Sequence, residues 1–239
     1  MTAHPRGNDF DGVTPLYGGA SDIAGLPGGF ERSEEVRGGF YRNIGKRCLD
    51  LTLVILSLPV TLPVILVMAA LIALDGGRPF YSQERVGRGG RVFRMWKLRS
   101  MVVDADATLE NHLAKDPELR AEWDAHQKLR NDPRITAIGE LLRKSSIDEL
   151  PQLLNVLTGD MSLVGPRPMM PTQRDLYPGH AYYSLRPGLT GVWQVTARND
   201  SVFSHRASCD ARYDRRLSFW LDVKLIIFTI VVVLRGTGR

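Results

Sequence analysis

Ionisable side chains disappear between Leu51 and Leu74, where LTLVILSLPVTLPVILVMAALIAL runs for 24 residues without a charge. As a straight helix the run measures about 36 Å, against a bilayer hydrocarbon core of about 30 Å. Pro59 and Pro63 sit in its middle, and each removes a backbone donor and kinks a helix. Both flanks are basic: Arg42, Lys46 and Arg47 precede the run, and Arg78, Arg85, Arg88, Arg91, Arg94, Lys97 and Arg99 follow it. Positive flanks favour the cytoplasmic side, so both ends are drawn to one face of the membrane. A re-entrant helix-break-helix over residues 41–75 satisfies both ends; one kinked span is the alternative. The break falls at Pro59 or Pro63, and the carbonyls it frees need donors, which Ser57 or Thr61 can supply.

The second apolar run, Leu225–Leu234, is too short to span and suits a helix that lies in the interface or is buried in a core. Alternation from Arg91 to Lys97, after Gly89-Gly90, predicts a short strand. Residues 102–130 mix charges with good helix formers and break at Asp116-Pro117, which predicts one or two exposed helices. Ile135, Ile138, Leu141 and Leu142 mark one face of a short helix ending in Arg143-Lys144. Another helix starts within Ser145–Pro151 and is expected to bury Leu153, Leu154 and Leu157. The expected fold class is α/β, mainly α. A membrane hairpin packs on a small cytoplasmic catalytic domain, residues 76–239, with few short strands and amphipathic interfacial helices.

Composition changes this picture at the amino end. The 239 residues are 44% hydrophobic and 24% charged, which excludes a wholly disordered or collagen-like chain. The net charge of +5 is uneven: residues 1–40 hold six acids, three arginines and nine of the 23 glycines, leaving +8 for the remainder. That stretch reads as a disordered acidic tail, and it lacks the basic start and apolar core of a signal peptide. Two cysteines, Cys48 and Cys209, exclude a disulfide framework or a cysteine-based zinc site and suit a reducing compartment. The five histidines show no metal-ligand spacing. Residues 78–99 carry seven basic residues against one acid, Glu84, a density that needs an anionic partner or a solvated face. Lipid headgroups and a diphosphate substrate suit it better than nucleic acid, because the apolar run is adjacent.

Asp148 and Glu149 are the candidate catalytic pair. The plain reading of Ser146 to Glu149 is a capping box, with acids complementing a helix dipole. The chemical reading divides the work. Neighbours on a helix point about 100° apart and cannot form one facing pair. One carboxylate would attack phosphorus while the other holds a divalent cation. Arg143 and Arg167 would clamp diphosphate oxygens, the latter presented by Gly165-Pro166-Arg167-Pro168.

These segments resemble a known family. Lys46-Arg47 with Asp50, KLRSM at 97–101, DPRIT at 132–136, SIDELPQLLNVLTGDMSLVGPRP at 146–168 and RPGLTGVWQVTARND at 186–200 are similar to the bacterial polyprenyl-phosphate sugar-phosphate transferases, the monotopic phosphoglycosyl transferases. The likeness covers residues 41–239 and is nearest to the small enzymes that begin exopolysaccharide subunits with galactose 1-phosphate. It implies transfer of a sugar 1-phosphate, galactose or glucose, from a UDP-sugar donor to undecaprenyl phosphate at the cytoplasmic face of the inner membrane. It further implies Mg²⁺, a covalent intermediate on Asp148, and Glu149 as metal ligand. Arg143 and Arg167 would bind phosphate, with Arg85, Lys97 and Arg99 of the basic stretch added as substrate-binding candidates. Membrane lipids are expected partners and nucleic acid is not; a homo-oligomer stays open. Two departures stand out: Ser57-Leu58-Pro59 and Thr61-Leu62-Pro63 replace the usual Ser-Pro, and Ala197-Arg198-Asn199 replaces Gly-Arg-Asn. Unlike in long members of the family, no bundle of spans precedes the domain in this sequence. Outside the family, the alternative is a non-catalytic membrane adaptor that binds anionic lipid or RNA.

Overall fold

The computed structural model describes residues 39–126, 129–196 and 203–234. The tail expected over residues 1–40 lies, except for its last two residues, outside the described part, as does the 197–200 end of the last motif. After a π-helical turn at Tyr41–Gly45, α1 (Lys46–Leu74) carries the apolar run as one continuous helix with both prolines inside it. The expected break is therefore not an interruption of the helix, whose backbone stays helical through both prolines. Ser57 Oγ donates to the Val54 carbonyl at 2.8 Å and Thr61 Oγ1 to the Ser57 carbonyl at 3.0 Å. These hydroxyls bond back to the preceding turn and not to the Ile55 and Pro59 carbonyls that the prolines free. The proline defects are thus absorbed within the helix.

β1 (Phe80–Val86) and β2 (Val92–Leu98) form an antiparallel hairpin, with Arg85 opposite Phe93 and Tyr81 opposite Lys97. At its tip Gly89 and Gly90 take φ of 67° and 79°, a left-handed turn that glycine enters without steric cost. β2 is the strand that alternation predicts. The sequence of β1, FYSQERV, lacks clear alternation, and its strand character comes from its partner. Helices α2 (Ala105–Lys115) and α3 (Pro117–His126) divide at Asp116-Pro117 as expected and share a satellite core of Leu109, Leu113 and Leu129.

Thr136 caps α4 (Ala137–Ser145) by accepting from the Gly139 amide at 2.9 Å. There follow α5 (Gln152–Thr158), β3 (Ser162–Val164), α6 (Ala181–Ser184), β4 (Gly188–Thr190), α7 (Val192–Thr196), α8 (Phe203–Arg216) and α9 (Phe219–Leu234). β3 and β4 pair in parallel. One core cluster joins Val54 of α1, Phe93 and Met95 of β2, and Leu153 and Val156 of α5. A second joins Val164, Val192, Cys209, Tyr213 and Leu225. Two expected core leucines face outward: Leu154 is 51% exposed and Leu141 56%. Each stands about 100° around its helix from a buried neighbour, Leu153 or Leu142, so the packed stripe leaves it outside. The carboxyl-terminal run is both buried and exposed, since Leu225 sits in the core while Ile227, Phe228 and Ile230 do not.

Both ends of α1 are tied to the same body. At its start, Arg47 donates to the Val156 and Leu157 carbonyls at 2.5 and 2.9 Å, and Asp50 accepts from the Leu163 amide at 3.0 Å. At its end, Arg99 donates to the Ile72 carbonyl at 3.0 Å and to the Gly76 carbonyl. Between these ties Leu56, Val60, Leu66 and Val67 stay exposed. The strongest tie is Asp222 of α9, wholly buried, which accepts from Lys46 Nζ and Tyr41 OH at 2.7 Å each and from Tyr213 OH at 2.6 Å.

Asp222→Ala strips Lys46 of its counter-charge inside the protein and is expected to cost about 3–5 kcal/mol. The readout is a lowered thermal unfolding midpoint in detergent. The double variant Lys46→Met/Asp222→Leu is expected to regain most of that loss. A double variant no more stable than Asp222→Ala would refute the pairing.

Candidate active site

α4 ends where Ser146 adopts the left-handed conformation (φ 56°, ψ 19°), its amide bonding to the Arg143 and Leu142 carbonyls. That geometry removes the capping box: Ser146 makes no side-chain cap, and Ile147–Glu149 form a 3₁₀ turn ahead of Pro151 and the short α5. The turn projects both acids toward one cation. Lys97 Nζ lies 2.7 Å from Glu149 Oε1 and 3.7 Å from Asp148 Oδ2. The adjacent carboxylates therefore share a counter-ion, because Lys97 Nζ lies between two side chains that leave the backbone in different directions.

Lys97 reaches them because of strand parity. Phe93, Met95 and Lys97 occupy one face of β2, and antiparallel pairing puts Arg85 of β1 on that face too. Phe93 and Met95 fill the core, so Lys97 continues the same stripe to the turn. The environments of the two acids differ. Burial pushes the Asp148 carboxyl above its ordinary range and neighbouring Glu149 adds to this, against the opposing pull of Lys97 and Arg143. Burial acts in the same direction on Glu149, but Lys97, Arg167 and Arg85 together outweigh it and hold that carboxyl low. Two neighbouring acids with divergent proton affinities are a common mark of divided chemical roles.

Glu149 opens onto a cleft whose wall includes Arg85, Met95, Lys97, Gln152, Arg167, Pro168, Leu189 and Gln194. Arg167 gets there through a tight backbone approach. The Gly165 amide donates to the Thr190 carbonyl and the Gly188 amide to the Pro166 carbonyl, both at 2.8 Å. A Cβ on Gly188 would overlap the Gly165 backbone, so only glycine lets the two segments meet. Arg85 Nε is buried with no hydrogen-bond partner among the described residues. Burial and the nearby Arg167 both lower its proton affinity. Arg85, Lys97 and Arg167 thus stand against the two carboxylates of Asp148 and Glu149, a surplus of one charge that an anionic ligand would neutralise.

Of the remaining candidates, Arg143 stands behind the dyad, its Nε donating to Ser100 Oγ at 3.0 Å. Arg99 goes elsewhere: its guanidinium donates to the Ile72 carbonyl in the last turn of α1 and to the Gly76 carbonyl just beyond it. The basic stretch therefore divides by position along β2 and does not act as one patch. Residues outside the candidate set also gather here, two of them, Gln152 and Trp193, from within the quoted motifs. Gln152 is 3% exposed at the cleft wall, and Trp193 and Arg206 stand beside Arg167. Trp193 lies within a quoted motif, but Arg206 sits in a mixed-charge helix that carries no sequence signal. Among the described residues no three His, Cys, Asp or Glu side chains come together to hold a metal. Two adjacent carboxylates do fit Mg²⁺, which keeps waters and shares substrate phosphates.

Comparison with known proteins identifies the family of the chain. The model of the family described as bacterial sugar transferase matches residues 41–236. The UDP-galactose-lipid carrier transferase of Erwinia amylovora is 46% identical over 195 residues, covering 81% of this chain and 41% of its own. The undecaprenyl-phosphate galactose phosphotransferase of Salmonella typhimurium is 44% identical with the same coverage. The chain thus spans about two fifths of the length of these relatives. The exopolysaccharide production protein ExoY of Rhizobium meliloti is of similar size, 40% identical over 206 residues that cover 84% of this chain and 91% of ExoY. The match runs from the base of α1 to the end of α9 and takes in every element that builds the cleft, so the chain belongs to the bacterial sugar transferase family.

Proposed function

We propose that this protein transfers a sugar 1-phosphate, galactose or glucose, from a UDP-sugar to undecaprenyl phosphate, and so initiates an exopolysaccharide or related glycan. The observation that carries the reading is a buried Asp148 beside a low-pKa Glu149, both sharing Lys97 at a cation-rich cleft. A nucleotide diphosphate is the anion such a wall suits, and two of the relatives named above have galactose in their names. An adaptor that only binds lipid or RNA has no need of the buried dyad.

In the first half-reaction a carboxylate oxygen of Asp148 attacks the sugar-bearing phosphorus. The bond to the bridging oxygen breaks and UMP departs with its electron pair. In the second, a phosphate oxygen of the polyprenyl acceptor attacks the same phosphorus, and Asp148 leaves as a free carboxylate. Arg85 and Arg167 orient the phosphate oxygens, and Arg143 and Lys97 favour the charged form of Asp148. Burial of Asp148, whose side chain is 12% accessible, keeps water from the acyl phosphate between the two steps. Glu149 would hold Mg²⁺, and the bound ion would supply neutralisation of the diphosphate charge.

The same reading makes α1 a re-entrant membrane helix and the cleft cytoplasmic. Support comes from the ties at both ends of α1 to one body and from its exposed apolar middle. The outward Leu141, Leu154, Trp220 and Ile227 would add contacts with the membrane surface.

With a panel of UDP-sugars and undecaprenyl phosphate, UMP release and a lipid-linked sugar phosphate are expected for UDP-galactose or UDP-glucose. Zero release across the panel would sink the transferase reading. Asp148→Asn is expected to form no labelled covalent adduct from the productive UDP-sugar; an adduct of normal yield would remove Asp148 as nucleophile. EDTA is expected to abolish UMP release and added Mg²⁺ to restore it. For topology, Gly39→Cys and Arg78→Cys, each combined with Cys48→Ser, are expected to react with an impermeant maleimide from the cytoplasmic side alone. Labelling from opposite sides would instead establish a full span.

A further inference from the structure

We propose that Trp193 is a positioning residue for Arg167, braced by Arg206, which would make α8 part of the substrate-orienting machinery. The proposal rests on the reading of Arg167 as a ligand of substrate phosphate. Arg167 faces the cleft, yet its guanidinium makes no hydrogen bond or ion pair among the described residues. Its donors are thereby left for a ligand, but a long side chain without contacts would have to be ordered each time a substrate binds. Trp193 supplies the missing contact: the Arg167 guanidinium carbon lies 5.6 Å from the centre of its ring. An aromatic face orients the planar fork without consuming any of its donors, which a carboxylate in the same place would do.

Arg206 secures the arrangement from behind. Its guanidinium carbon also lies 5.6 Å from the Trp193 ring centre, and its Nη2 donates to the Arg167 backbone carbonyl. Arg206 is 7% exposed, and Asp210, one helical turn further along α8, offsets its charge while accepting from Tyr177 OH at 2.9 Å. The Arg167 backbone is thus fixed on two sides, by Arg206 and by the Gly188 amide that bonds Pro166. What remains adjustable is the side chain, and Trp193 is its rest.

The test is a double-mutant cycle on the full chain, read both as KM and kcat for UMP release and as UDP affinity by calorimetry. Trp193→Leu is expected to weaken UDP binding and raise KM about threefold to tenfold, the range of one cation–π contact. Trp193→Phe keeps a ring and is expected to recover most of the loss. In an Arg167→Met background, Trp193→Leu and Arg206→Leu are each expected to add less than about twofold, because both act through Arg167. Full additivity in that background overturns the proposal. So does failure of Trp193→Phe to recover affinity while its unfolding midpoint stays at the wild-type value. A wild type that binds UDP but releases no UMP defeats the transferase reading and leaves this coupling legible in the UDP affinities. A wild type that does not bind UDP overturns both.

Discussion

A carboxylate with no access to water, Asp222, governs how this chain is put together. It collects Lys46 and Tyr41 from the base of α1 and Tyr213 from α8, and it sits on α9 itself. An ion buried this deeply is tolerable only while every partner stays in place. The network therefore admits one docking of the apolar helix on the body and penalises the others. Tyr213 also donates to the Val164 carbonyl at 3.3 Å, at the end of the strand that runs into Gly165 and Arg167. The fastening of α1 and the placement of the cleft's arginine thus share a residue.

The cleft repeats this economy on the hairpin. A single stripe of alternate residues packs the core with Phe93 and Met95 and then delivers Lys97 to both acids. The acids meet that lysine because Ser146 turns left-handed and ends α4 early. A local backbone departure, and not a long helix terminus, builds the dyad.

Periodicity made several elements legible: the apolar helix, β2, the division at Asp116-Pro117 and the short helix before the dyad. It misjudged Leu141 and Leu154, because an apolar residue beside a packed stripe reads the same whether it faces a core or the outside. The capping-box pattern at Ser146 was also misleading, since the same letters serve a left-handed helix end. Arg85, Lys97 and Arg99 looked equivalent as charge density. Their separation became visible only with strand parity and with the end of β2 at Leu98, after which Arg99 is free to cap α1. Arg206 could not be found from sequence, because its partners Trp193 and Arg167 are remote along the chain and nothing in α8 marks the position.

The two-residue interval from Lys97 to Arg99 gives the chain an uneven tolerance for length change. About 7 Å of backbone separates the cation of the dyad from the residue that closes the apolar helix α1. One inserted residue in β2 would swap its faces, sending Lys97 outward and a neighbour toward the acids. At the glycine tip of the same hairpin an insertion would only lengthen a loop. Insertions and deletions among relatives should therefore accumulate at the tip and avoid the strand, where one register serves both the closing of α1 and the pairing of Lys97 with the two acids.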